Sequence, residues 1–266
     1  MIKKSFSLIS NDSKSAVKIE KGELISYQKE GVEFIHQKGN KGWRNSDDEM
    51  FPVIGPTAKN NFRVHTKKGD GIQDQHGFLR EMKYLFISSD KKTAVFRKTY
   101  AKNTQIKNSK FPDKSSEAFL FWPFDFTFEK RFTLSNQSLN IDFIINSKIN
   151  MPFMFGYHPA FLLSNSGKET LQFGDVKITL ETILKTGSNA FPVLHSNKIT
   201  LNNIDKSNLE ITTTGFENFM LWTEVNNMLC IEPITQYTSF TDQLFSDKNM
   251  HLSKGENRFS VQLKIV

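Results

Sequence analysis

Apolar and polar side chains alternate with a period of two through much of this chain. At its C-terminal end Phe259, Val261, Leu263 and Ile265 alternate with Ser260, Gln262 and Lys264, the pattern of a strand with one face on a core. Between Phe126 and Asn146 there are two such runs, one marked by Phe126, Phe128, Phe132 and Leu134 and the other by Leu139, Ile141, Phe143 and Ile145. The polar bridge Ser135-Asn136-Gln137-Ser138 between them predicts a hairpin. Gly22 to Ile35 and Val176 to Ile183 carry weaker versions. No segment keeps helical spacing for more than a turn or two, so the pattern predicts an all-β chain with few short helices. Gln37 to Met50, Lys102 to Glu117 and Thr186 to Asn197 read as long loops, which in compact sheet proteins serve either as binding loops or as plain mobile surface. Neither a repeat nor a dividing linker is visible, so one domain spanning residues 1–266 is expected.

Composition sharpens this picture at three points. The chain has 25 Phe against 5 Tyr and 3 Trp, and such rings suit pleated, half-buried surfaces. The net charge is +7, yet the lysines are scattered among Asp, Glu, Asn and Ser rather than clustered on one element. No nucleic-acid partner is therefore expected, while an anionic substrate stays open. Cys230 is the only cysteine, which excludes an intrachain disulfide and a thiolate metal cluster. Lys3 and Lys4 are followed by Asn11, Asp12 and Ser13 before any sufficient apolar run, so neither a signal peptide nor a membrane anchor is expected. The plain expectation is a cytoplasmic protein with no membrane partner.

Three positions carry candidate chemistry. His158 lies in Met151-Pro-Phe-Met-Phe-Gly-Tyr-His-Pro-Ala-Phe161, where Pro159 biases it towards an extended backbone and Gly156 permits close approach. By itself it fits a satisfied core histidine equally well. His76, followed by Gly77, reads as a turn that exposes the imidazole, and by itself as a surface histidine. Glu232 follows the apolar run Met228 to Ile231 and precedes Pro233, which is expected to end that strand. A carboxylate there loses hydration and rises towards a general-base pKa, unless it is a rim carboxylate paired with lysine. His36, His65, His195 and His251 read as surface residues. No set of three or four convergent metal ligands is visible, no G-x-S-x-G nucleophile turn and no phosphate-cradling glycine loop.

Taken together, His76-Gly77, Gly156-Tyr157-His158-Pro159-Ala160-Phe161 and Cys230-Ile231-Glu232-Pro233 resemble, in order and spacing, the motifs of the aldose 1-epimerase (galactose mutarotase-like) family. Gly22 to Ser26, Asn146 and Leu252 to Glu256 add weaker marks, so the likeness spans nearly the whole chain.

The resemblance implies a large antiparallel β-sandwich with an open sugar cleft, and an isomerase that interconverts the α and β anomers of an aldohexose without metal or cofactor. It implies Glu232 as general base, His158 as general acid and His76 as a substrate-orienting partner, the acid and base facing each other across a pyranose-sized gap. Trp222 is a candidate for stacking on a sugar face, although a core or sheet-packing role suits its local sequence better. Many relatives carry an arginine after a Phe-Pro-x-x-Gly segment. Here Phe51-Pro-Val-Ile-Gly55 is followed by Pro56, so the cationic role passes to Lys59, Arg63 or Arg80, with Arg80 favoured as a substrate-binding residue. Two alternatives remain: an epimerase acting on a hexose 6-phosphate, and a carbohydrate-binding protein without turnover. A monomer or homodimer is expected.

Overall fold

The computed structural model describes residues 5–238, 245, 246 and 249–266; Lys3 and Lys4 lie outside them. Its largest element is a nine-stranded antiparallel sheet. The hairpin forms at its centre: Phe126–Leu134 pairs with Ser138–Ser147 from Phe126 opposite Ser147 to Leu134 opposite Leu139. The Ser135 hydroxyl accepts the Ser138 N–H at 3.0 Å and closes the turn. The last strand, Glu256–Ile265, lies between Ser138–Ser147 and Leu209–Thr214. Alternation has its expected cause, since Phe128, Phe132, Ile141, Phe143, Val261 and Leu263 all face inward and are buried.

A second, six-stranded sheet runs in the order Phe191–Val193, Asn218–Trp222, Met228–Ile234, Gly156–Tyr157, Glu49–Met50, with Ala160–Leu162 also pairing Met228–Ile234. Phenylalanine rings fill the space between the sheets. Phe155, just before the Gly156–Tyr157 strand of the smaller sheet, meets Phe143 at 5.1 Å and Phe128 at 5.3 Å, both edge-on, a geometry that adds to area burial. A four-stranded sheet formed by residues 5–33 completes the layers, and its Phe6 reaches Phe96 of the large sheet at 5.4 Å. No helix among the described residues is long and apolar enough to cross a membrane.

Four local expectations are corrected. The run from Val176 is a strand only to Thr179; Thr179 then caps a short helix, Leu180–Leu184, by accepting the Thr182 N–H. The stretch Gln37 to Met50 is not loop throughout, because residues 46–50 join the smaller sheet: Ala160 donates to the Ser46 carbonyl and Glu49–Met50 pairs with Gly156–Tyr157. Pro233 does not end its strand. The neighbouring chain is itself interrupted between Tyr157 and Ala160, and the ladder resumes at Gly156 opposite Ile234. His36 is buried, not on the surface, with Nε2 2.9 Å from the Trp43 carbonyl.

The 46–50 segment is hidden from a hydropathy reading because both of its faces carry charge. Asp47 and Glu49 point between the sheets, where Lys130 donates to each at 2.7 Å and Lys98 lies 3.3 Å from Glu49. Tyr157 adds a 2.7 Å bond to Asp47. Burial would raise the Glu49 pKa, but Lys130 and Lys98 outweigh it and hold the carboxyl at about 2. Asp48, between them, points the other way.

Candidate active site

Strand register builds the site. Ala160 lies opposite Cys230 and Gly156 opposite Ile234, so the same register carried across the interruption sets His158 opposite Glu232. On the far side of His158, Asp48 donates its N–H to the His158 carbonyl at 3.0 Å and accepts the His158 N–H at 2.8 Å. On the far side of Glu232 stands Met220. Residues opposite one another in antiparallel strands share a face. Asp48, His158, Glu232 and Met220 thus form one row on the face of the smaller sheet turned away from the core.

His158, Glu232 and Met220 of that row floor an open cavity of about 380 Å³, within the usual range for small-molecule sites. His76, Arg80, His158, Trp222 and Glu232 all line it. His76 reaches it from a turn in which His76 and Gly77 both have positive φ, 73° and 64°. Any Cβ at Gly77 would lie 2.1 Å from the Phe51 carbonyl oxygen, so glycine alone lets the turn close against that strand. Arg80 sits in the 3-10 turn that follows, with Nε 3.2 Å from Asp48 Oδ2. Of the three cations proposed to stand in for the arginine lost at Pro56, Lys59 and Arg63 do not line this cavity; Arg63 is half-exposed and 3.6 Å from Asp70. Arg80 also forms part of the wall of a larger cavity of about 690 Å³, lined by Phe6, Tyr84, Phe86 and Asp48, which contains neither histidine nor Glu232.

The imidazole and carboxyl are in contact, with His158 Nε2 3.4 Å from Glu232 Oε1. They stand side by side, and the expectation of a pyranose-sized gap between them is corrected. Burial pushes the Glu232 carboxyl up to about 8, with Arg80 opposing the rise. Burial, helped by Arg80, brings His158 down to about 3. Each group is driven towards its neutral form, so at neutral pH the pair holds one exchangeable proton, on Glu232. Moving that proton across the contact gives carboxylate and imidazolium. Both tautomers offer one donor and one acceptor. His76 is held well below the ordinary 6.5 by burial, then by Arg80 and His158, and is a neutral hydrogen-bonding group.

The sequence reading missed Trp43, whose indole stacks on the His158 ring at 4.3 Å and 22°. It comes from the Gln37 to Met50 stretch, where Gly42 packs its bare Cα against Met228 (a Cβ there would lie 2.7 Å from the Met228 side chain) and the Trp43 main-chain N–H donates to the Met228 sulfur at 3.1 Å. The available signal was a tryptophan in an otherwise polar, glycine-rich segment. Gln75, Lys114, Glu224 and Tyr237 also line the cavity without having been singled out. His158, Cys230 and Glu232 place one ligand atom each within 4.8 Å of one another.

A buried imidazole–carboxyl pair at the floor of an open, polar-and-aromatic cavity on a β-sandwich defines a candidate acid–base site for a small polar ligand. The aldose 1-epimerase family profile matches residues 10–227. The chain belongs to the aldose 1-epimerase family. Among solved structures it resembles a galactose mutarotase related enzyme from Lactobacillus acidophilus, with 19% identity, a TM-score of 0.80 and coverage of 98% of this chain and 97% of that one. It also resembles a galactose mutarotase-like protein from Lactobacillus casei, with 15% identity, a TM-score of 0.77 and coverage of 98% and 100%. At such identities the likeness establishes the galactose mutarotase-like fold. Comparison with curated protein sequences gives no match.

Proposed function

We propose that this protein is an aldose 1-epimerase that opens and recloses the ring of an aldohexose, with Glu232 and His158 as the proton-transfer pair. The observation that carries the reading is their 3.4 Å contact on the cavity floor. Ring opening takes a proton from the anomeric hydroxyl and gives one to the ring oxygen. Both oxygens are bonded to the same carbon, so the two catalytic atoms must stand close together, and a wide gap would serve the reaction badly.

The sequence of events follows from the one shared proton. A sugar entering the cavity brings hydroxyls that can hydrogen-bond the Glu232 carboxylate, whose short polar contact among the described residues is His158 at 3.4 Å. That favours the tautomer with the proton on His158. Glu232 then accepts the anomeric proton while His158 donates to the ring oxygen, and the C1–O5 bond breaks. Rotation about C1–C2 turns the other face of the aldehyde to O5. For closure the roles reverse: His158 takes the O5 proton, and Glu232 returns one to O1. Proton transfer of this kind contributes roughly 10²–10⁴-fold. His76 and Arg80 orient the hydroxyls, and Trp222 offers a ring to an apolar sugar face. No step requires a metal or organic cofactor.

Lys114 at the cavity rim favours a second reading, a hexose 6-phosphate whose phosphate pairs with that side chain. Polarimetry on freshly dissolved α-glucose, α-galactose and glucose 6-phosphate tests both. Faster anomer exchange on a neutral hexose supports the first reading, and exchange on the phosphate alone supports the second. Sugar binding with exchange no faster than buffer on all three would leave a non-catalytic carbohydrate-binding protein.

A further inference from the structure

Cys230 has no part in the proton transfers, yet it is placed where it can interfere with them. It lies two residues from Glu232 on the same strand, hence on the same face, and its cross-strand neighbours are Ala160 and Trp222. The thiol is fully buried beneath Trp43 and Trp222. Its ligand atom, one from His158 and one from Glu232 all lie within 4.8 Å of one another. His158, 4% exposed, also has its Nδ1 buried without a hydrogen-bond partner, so the protein leaves part of the ring's bonding capacity unused.

We propose that His158, Cys230 and Glu232 form a binding site for a thiophilic divalent cation such as Zn²⁺, Cd²⁺ or Co²⁺, and that filling it switches off the acid–base pair. Thiolate, imidazole and carboxylate are the donors such ions select. Tetrahedral bonds of about 2.0–2.3 Å set ligand atoms roughly 3.3–3.7 Å apart, and the His158–Glu232 contact of 3.4 Å already has that spacing. With all three ligand atoms within 4.8 Å of one another, the sulfur has at most about an ångström to close to reach tetrahedral spacing. Charge agrees as well. Binding displaces two protons to solvent, one from the Glu232 carboxyl and one from the Cys230 thiol, which burial holds in its protonated form. The resulting carboxylate and thiolate with one neutral imidazole make the complex of a dication neutral, which a buried site tolerates far better than a bare ion. His158 and Glu232 both line the cavity, so an ion held by them occupies the two groups that a sugar needs, and the ion and a sugar exclude one another. The inhibitory consequence rests on the proposed function; the binding itself does not.

The test has two readouts on the full chain. Titration with Co²⁺ is expected to produce a thiolate-to-cobalt charge-transfer band at one ion per chain, lost in C230S and C230A. That signal is independent of turnover, so it separates failure of the site from failure of the epimerase reading. Zn²⁺ is expected to inhibit anomer exchange in the wild type, while C230A retains basal exchange and needs roughly tenfold or more Zn²⁺ for equal inhibition, the scale on which metal sites lose affinity when their ligand set is damaged. Absence of the band in the wild type, its persistence in both variants, or equal Zn²⁺ sensitivity of wild type and C230A would overturn the proposal.

Discussion

Asp48 and His158 lie directly opposite each other, joined by two main-chain hydrogen bonds of 3.0 and 2.8 Å, while the Asp48 carboxylate lies 3.2 Å from Arg80 Nε. One residue thus fixes the backbone of the imidazole and the place of the cation beside it. D48N keeps the main-chain bonds and removes only the charge. We expect it to fold normally and to raise KM more than it lowers kcat, because Arg80 loses its anchor while the acid–base pair keeps its geometry. Steady-state kinetics on the preferred sugar, alongside a thermal melt, check this.

Arg80 lowers the pKa of His76, His158 and Glu232 alike. Activity requires the pair to hold one proton, so the rate should fall above about pH 8 as Glu232 loses it, and in strong acid near pH 3 as His158 gains a second. In R80M both limbs move to higher pH, since removing a positive charge favours protonation of both groups. A pH–rate profile with the limbs unmoved would show that Arg80 does not act on the pair.

The Glu232 carboxyl is also a local weakness of the fold. Its pKa of about 8 in the folded chain stands above the ordinary 4.5, so its contribution to stability is fully present below pH 4.5 and is lost as pH rises through 8. Glutamine has no such dependence. E232Q should therefore be inactive yet more stable than wild type at pH 8, by roughly 2–4 kcal/mol, with the difference closing towards pH 4. Urea unfolding at the two pH values measures it.

Lys130 is fully buried and bonded to Asp47 and Glu49. K130M leaves both carboxylates without their main partner between the sheets, and should cost roughly 3–5 kcal/mol. K130M/D47N, which removes Lys130 together with the carboxylate that depends on it and leaves Glu49 paired with Lys98, should recover much of that loss.

These residues also show where the sequence is readable and where it is not. The Phe126–Ser147 hairpin and the last strand were legible because one face of each meets a hydrophobic core, and hydropathy then records burial directly. Residues 46–50 were not, since Asp47, Asp48 and Glu49 are held by cations from distant parts of the chain and burial there leaves no apolar trace. A faint signal exists in the partners: Lys98 follows Ala94 and Phe96, and Lys130 follows Phe126 and Phe128, in the inward-facing phase of their strands. His158, His76 and Glu232 stood out through motif order. Their spacing did not, because it is set by pairing between strands far apart in the chain. Trp43 and Cys230 acquire meaning only from what packs against them.

The most direct test of the central claim is anomer exchange measured by NMR magnetisation transfer on the preferred aldohexose, for wild type, H158N, E232Q and the double variant. One pair sharing one proton predicts a loss of roughly 10²–10⁴-fold in each single variant and little further loss in the double, as for groups that act as a unit. Near wild-type exchange in either single variant, with the fold intact, would contradict it.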